Sequence, residues 1–161
     1  MELENELSQT YALNILLADD DKDDCIFFKE ALEEMSLLSQ LTCVYNGDQL
    51  MLFLNKKLQQ LPDVLFLDLN MPRKNGFACL KEIKSDNKLK HLPVIILSTS
   101  YEGSIANLLY KNGAHYYICK PADFNQLKDV INLALTLIKK NSLSQPSLEE
   151  FFLNKEKLSL K

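Results

Sequence analysis

Residues 14–24 read NILLADDDKDD, and this stretch decides the fold. Ile15, Leu16, Leu17 and Ala18 run without a polar interruption into Asp19, Asp20 and Asp21. A continuous apolar run of this length fits a strand covered on both faces, because a half-exposed strand would alternate apolar with polar residues. Adjacent carboxylates do not belong in that buried strand, so the chain leaves the core at about Asp19.

Four more runs of the same kind follow: LTCVY around Cys43, DVLFLDL around Leu65, PVIILS around Ile95 and HYYICK around Tyr117. Helical spacing fills the gaps. Phe28, Ala31, Leu32 and Met35 recur at i, i+3, i+4 and i+7, with Glu30, Glu33 and Glu34 on the other side, and Leu127, Val130, Ile131, Ala134 and Ile138 make a second stripe. Five alternations of strand and helix predict an α/β fold, a doubly wound five-stranded parallel sheet with helices on both faces and right-handed crossovers.

The remaining composition narrows the setting. At 161 residues the chain suits one domain with short appendages. We divide it into an N-terminal extension (1–11), the α/β domain (12–140) and a tail (141–161). A net charge of −4 without clustered Lys and Arg argues against nucleic acid as a partner. No apolar run approaches the roughly 20 residues of a spanning helix, and MELENELSQTYAL lacks the basic-then-apolar order of a signal peptide, so a cytoplasmic protein with no membrane association is expected. Cys25, Cys43, Cys79 and Cys119 show no paired spacing and read as reduced, small apolar residues; His91 and His115 read as loop and strand-edge residues.

All strands of a parallel sheet point one way, so their carboxyl ends share one rim, where ligands of open α/β sheets bind. The first run closes on Asp19, Asp20 and Asp21, the third on Asp68, the fourth on Ser98 and Thr99, and the fifth on Lys120 and Pro121. Several carboxylates at close quarters either protonate or hold a cation, and an oxygen-only site open to water suits Mg²⁺. Asp21, Asp23 and Asp24 read as acids of a helix start, with Asp20 or, by preference, Asp21 as the N-cap. An Asp at a strand end beside Mg²⁺ and a lysine can attack phosphorus, while metal, ammonium and a hydroxyl at Ser98 or Thr99 take up the phosphoryl oxygens.

Asp19-Asp20, Asp68 in DLNMPRKNG, Ser98 after PVIIL, and Lys120-Pro121 after GAHYYIC together resemble the receiver domain of two-component response regulators, over about residues 13–140. The resemblance implies the CheY-like (flavodoxin-like) strand order 2-1-3-4-5. It implies that Asp68 is the phosphoacceptor for a sensor histidine kinase or a phosphotransfer protein. Mg²⁺ would be held by Asp19, Asp20, Asp68 and the Asn70 carbonyl, Lys120 would pair with Asp68, and Ser98 and Tyr117 would be the switch residues. It also makes Lys120-Pro121 a candidate cis peptide. The sequence departs from the family's usual pattern in carrying Ser rather than Thr at position 98 and the small Ala122 after Pro121. Asn70 and Ser100 fall where receivers tune the phosphoryl lifetime.

Some twenty residues after Lys140 are too few for an output domain, so a stand-alone response regulator is expected, acting on a downstream protein effector the sequence does not identify. A phosphorelay intermediate or phosphate sink is the alternative. An aspartyl-phosphate phosphohydrolase is disfavoured because Asn70 stands where such enzymes need a second acid, and a flavodoxin-like binder because DDDKDD would repel phosphate. Beyond its own phosphoryl transfer and dephosphorylation, no enzymatic activity is expected. In the tail, Ser147 and Glu150 fit a capping box, with Leu148, Phe151 and Phe152 on one helical face. Leu133 and Leu137 widen the apolar arc of the last long helix toward that tail or toward a second copy in a homodimer.

Overall fold

Each apolar run becomes a strand. The computed structural model describes residues 12–56, 60–141 and 144–154; the N-terminal extension and the last seven residues lie outside them. The strands are β1 (Leu13–Ala18), β2 (Ser39–Val44), β3 (Val64–Asp68), β4 (Val94–Ser98) and β5 (Tyr116–Cys119). The helices are α1 (Lys22–Glu34), α2 (Gly47–Leu54), α3 (Gly76–Ser85), α4 (Gly103–Lys111) and α5 (Phe124–Asn141). The tail adds a single turn, α6 (Leu148–Phe151), and a two-residue strand, β6 (Phe152–Leu153). All pairings are parallel, in the order β2-β1-β3-β4-β5-β6.

Alternation along the strands sorts the core into two layers. Leu16, Leu65, Leu67, Ile96 and Tyr117 face α2, α3 and α4, whereas Ile15, Leu17, Phe66, Ile95 and Ile118 face α1 and α5. β3 and β4 are buried along their whole length, as continuous apolar runs require. β2 is different: it lies at the sheet edge and alternates between exposed and partly buried residues, so only one of its faces is covered.

Helix starts are set by side-chain caps. Asp21 accepts from the amides of Asp23 and Asp24 at 2.9 and 3.4 Å, Asn46 from Gln49 at 2.8 Å and Asn75 from Ala78 at 2.9 Å. Each cap therefore opens a helix where the chain leaves the carboxyl rim, or, for Asn46, just after the second strand.

The tail departs from its expected form. Ser147 makes no side-chain cap bond, the helix stops after one turn, and Phe152 leaves it to pair with Tyr117 on the open edge of β5. Unpaired backbone groups on that edge make strand addition more favourable than a second helical turn. Phe151 is 1% exposed and packs its ring against Tyr110 and Tyr117, while Leu153 joins the opposite layer with Leu133. Tyr110 donates its hydroxyl to the Pro146 carbonyl at 2.7 Å, and the Gln145 amide donates to the carbonyls of Tyr110 and Ala114.

Candidate functional site

The strand ends meet as the parallel register demands. Asp19 extends the β1 ladder by one bond, its amide donating to the Val44 carbonyl at 3.0 Å, and its side chain is 1% exposed. Asp68 closes β3 beside Leu97, placing Ser98 one residue further along the neighbouring strand. The Lys120 amide then donates to the Ser98 carbonyl at 2.7 Å and brings the end of β5 into line.

Oxygens of Asp19, Asp20 and Asp68 all lie within 4.8 Å of one another, with Asp20 exposed and the other two buried. Three hard carboxylate oxygens with one side open to water are a donor set for a divalent cation that keeps part of its hydration, so the residues present fit such an ion. Asn70 is exposed beside them, its amide donating to Asp68 Oδ1 at 3.3 Å. Asp21 is outside the cluster, engaged in capping α1, while its own amide donates to Asp19 Oδ1 at 3.0 Å and fixes that carboxylate's orientation.

The ammonium of Lys120 lies within reach of three acids: 2.8 Å from Asp19 Oδ2, 3.0 Å from Asp24 Oδ2 and 3.8 Å from Asp68 Oδ2. Burial works against its charge, but the hydrogen bond and charge of Asp19, with Asp68 and Asp24, outweigh burial and raise its pKa above the ordinary lysine value. Asp68 is pushed up to about 7, chiefly by burial, with the Asp19 carboxylate adding to the rise and Lys120 opposing it.

Two contacts go beyond the sequence-based expectation. Lys120 pairs with Asp68 as expected, at 3.8 Å, but its hydrogen bonds go to Asp19 and Asp24, which lie closer. Asp24, read as a first-turn acid, belongs to the site: four residues after Asp20, it sits one turn into the helix that Asp21 caps, and so rises over the rim. That spacing, together with a cap at Asp21, was the signal available for it. The Lys120-Pro121 peptide is trans, with no cis peptide among the described residues. Trans is the favoured isomer of an X-Pro bond by about 0.5–1 kcal/mol, and the Lys120 side chain meets its carboxylate partners from it.

Ser98 is 2% exposed, and its Oγ accepts from the Ser100 amide at 3.4 Å. Tyr117 lies buried on the same side of the rim, its hydroxyl donating to the Ser100 carbonyl in a short hydrogen bond and its ring packed against Tyr101, Phe151 and Phe152. The segment after Ser98 is thus tied to both side chains. Of the remaining candidates, His115 is buried with Nδ1 accepting from the Val94 amide, a structural role, and all four cysteines are free thiols.

The loop after Asp68 is tightly held. Arg73 takes a left-handed φ of 69°, the Lys74 amide donates to the Pro72 carbonyl at 2.8 Å, and the Gly76 amide donates to the Leu69 carbonyl at 3.0 Å. A Cβ at Gly76 would fall inside the contact distance of the Asp68 carbonyl oxygen and 2.9 Å from the Leu69 Cα; one at Gly47 would strike the Lys74 carbonyl. Both positions need glycine for close backbone approach.

Comparison with known proteins places this geometry among relatives. Residues 15–132 match the family model of the response regulator receiver domain. The response regulator Rcp1 of Synechocystis sp. is 31% identical over 117 residues, covering 70% of this chain and 80% of that protein. Among solved structures, the phosphorylated cyanobacterial phytochrome response regulator RcpA superimposes with a TM-score of 0.73 at 31% identity, over 85% of this chain and 100% of that one. The Mn²⁺-bound form of Rcp1 gives 0.70 at 27% identity, over 83% and 99%.

Proposed function

The chain belongs to the response regulator receiver family, and on that premise we propose that it is a phosphorylation switch whose receiver is itself the signalling unit. A histidine kinase or phosphotransfer protein supplies the phosphoryl group, Asp68 accepts it, and the surface around Ser98 and Tyr117 carries the change to a protein effector. The protein works in the cytoplasm and catalyses nothing beyond its own phosphoryl transfer and dephosphorylation. One observation carries this reading: Asp68, the Lys120 ammonium and the carboxylates of Asp19 and Asp20 converge on one rim.

The chemistry follows from the arrangement. An Asp68 oxygen attacks phosphorus in line with the departing group. Mg²⁺ on Asp19, Asp20 and Asp68, with the Asn70 carbonyl, would supply neutralisation of charge on the phosphoryl oxygens. Lys120 moves to a phosphoryl oxygen, trading a carboxylate partner for a more highly charged one. Ser98 turns its hydroxyl toward the new group, giving up the bond from the Ser100 amide. Because Ser100 also holds Tyr117 through its carbonyl, the disturbance reaches the β5 edge.

Phosphohistidine on the partner is chemically matched by small acyl phosphates, which allows a direct test. Wild-type protein incubated with acetyl phosphate and Mg²⁺ gains the mass of one phosphoryl group, and Asp68→Asn does not. No gain in wild type, or a gain that survives Asp68→Asn, overturns the assignment.

A further inference from the structure

The Lys120 ammonium has three N–H donors and three carboxylates around it, yet the acid that is to be phosphorylated is the one it does not hydrogen-bond. Asp19 belongs to the cation cluster with Asp20 and Asp68, so its hold on Lys120 competes with the demands of a bound ion. Asp24 lies outside that cluster, and its oxygen 3.0 Å from Lys120 Nζ is the second short contact of the ammonium. Its place is fixed by the backbone, because the Asp24 amide donates to the Asp21 cap in the first turn of α1.

The surroundings favour the pair without making it permanent. Asp24 and Lys120 line a cavity of about 220 Å³ whose other walls include Phe27, Phe28, Phe124 and Leu127. Apolar walls exclude water from one side and strengthen the attraction. The Asp24 side chain remains 38% exposed, so the bond is one that an arriving phosphoryl dianion can outcompete.

We propose that Asp24 is a positioning residue that competes for the Lys120 ammonium, holding it away from Asp68 in the resting protein and slowing phosphoryl transfer. This rests on the reading of Asp68 as phosphoacceptor. In the transfer from acetyl phosphate, an Asp68 oxygen bonds to phosphorus while the bond from phosphorus to the acyl oxygen breaks, and acetate leaves with that electron pair. Lys120 is needed at the phosphoryl oxygens during this step, so releasing it from Asp24 adds to the barrier.

The test is a cycle of variants measured in single turnover with saturating acetyl phosphate and Mg²⁺. Asp24→Asn and Asp24→Ala are expected to phosphorylate about 1.5- to fivefold faster than wild type, the range of one partly exposed ion pair. Asp24→Glu is expected to restore most of the slow rate, and in a Lys120→Met background Asp24→Asn is expected to change nothing. Folded Asp24 variants with wild-type or lower rates, or an acceleration that persists in Lys120→Met, overturn the proposal. A second readout is independent of phosphorylation: the ¹⁵N resonance of the Lys120 ammonium in metal-free protein. It should respond to Asp68→Asn more strongly in the Asp24→Asn background than in wild type, and equal responses overturn the proposal. If wild type takes up no phosphoryl group, the function assigned to Asp68 fails, while the resonance still decides whether Asp24 holds Lys120.

Discussion

Replacing Phe151 by Ala tests whether the tail is an integral part of the fold. The ring is 1% exposed, with centroids 5.3 Å from Tyr110 and 6.3 Å from Tyr117, so its removal opens a cavity in the layer that also buries α2, α3 and α4. Truncating a buried Phe to Ala costs about 3–5 kcal/mol. The low end applies here, because α6 and β6 hang on a short ladder and can undock as a unit, which caps the loss at the free energy of docking. We expect about 3 kcal/mol, a large share of the 5–15 kcal/mol typical of a whole domain. Urea unfolding of wild type, Phe151→Ala and the milder Phe151→Leu measures it, with Phe151→Leu losing less. Amide exchange at Phe152 and Leu153, the residues that pair with β5, should accelerate in Phe151→Ala. A loss below about 1 kcal/mol with unchanged exchange would refute the reasoning, since it would mean that the ring fills no space that matters.

Two further outcomes follow from the site. Gly76→Ala should destabilise by about 2 kcal/mol, as overpacking against backbone does, and should slow acetyl-phosphate labelling of Asp68, because the strained loop carries that residue; urea unfolding and intact-mass kinetics check both. Asp68→Asn should stabilise metal-free protein, and more so at pH 8 than at pH 5. The folded pKa of about 7 exceeds the ordinary 3.8, so the folded state binds the extra proton and wild-type stability falls as pH rises from about 4 through 7. A gain from Asp68→Asn that is flat or shrinking with pH, measured by paired urea titrations, would contradict the burial of that carboxylate.

The sheet was legible because residues 15–18, 64–67, 94–97 and 116–119 are apolar without interruption, a pattern that burial on both faces imposes. β2 was legible as a strand, and the resemblance put it at the edge, but its run was read as covered on both faces because LTCVY is too short to reveal which face meets water. The rim followed from geometry: parallel strands end together, so Asp19, Asp68, Ser98 and Lys120 needed only the strand ends to be read correctly. The link between Asp24 and Lys120 was hidden, because the two lie 96 residues apart and nothing local in KDD sets it apart from a helix-dipole preference. The tail was read in part: its helix is there over Leu148–Phe151, but it is shorter than expected. In LEEFFL the first apolar residues do fit a helix, and only the vacant edge of β5, a tertiary fact, turns Phe152 and Leu153 into a strand.

The two glycines at the rim divide the molecule into a fixed jaw and a free one. Gly47 lets α2 press on the Lys74 carbonyl, and Gly76 lets α3 press on the backbone of Asp68, so the ground beneath the acceptor has no slack on that side. On the proposed function, the extra bulk and charge of a phosphoryl group on Asp68 would therefore find no room by displacing that residue's own loop. They would find it across the sheet, where Thr99 and Ser100 are exposed and Ser100 is held by one bond to Ser98 and one to Tyr117. Direction in the proposed switch is thus a property of packing: the anvil is built on one side so that the blow travels to the other.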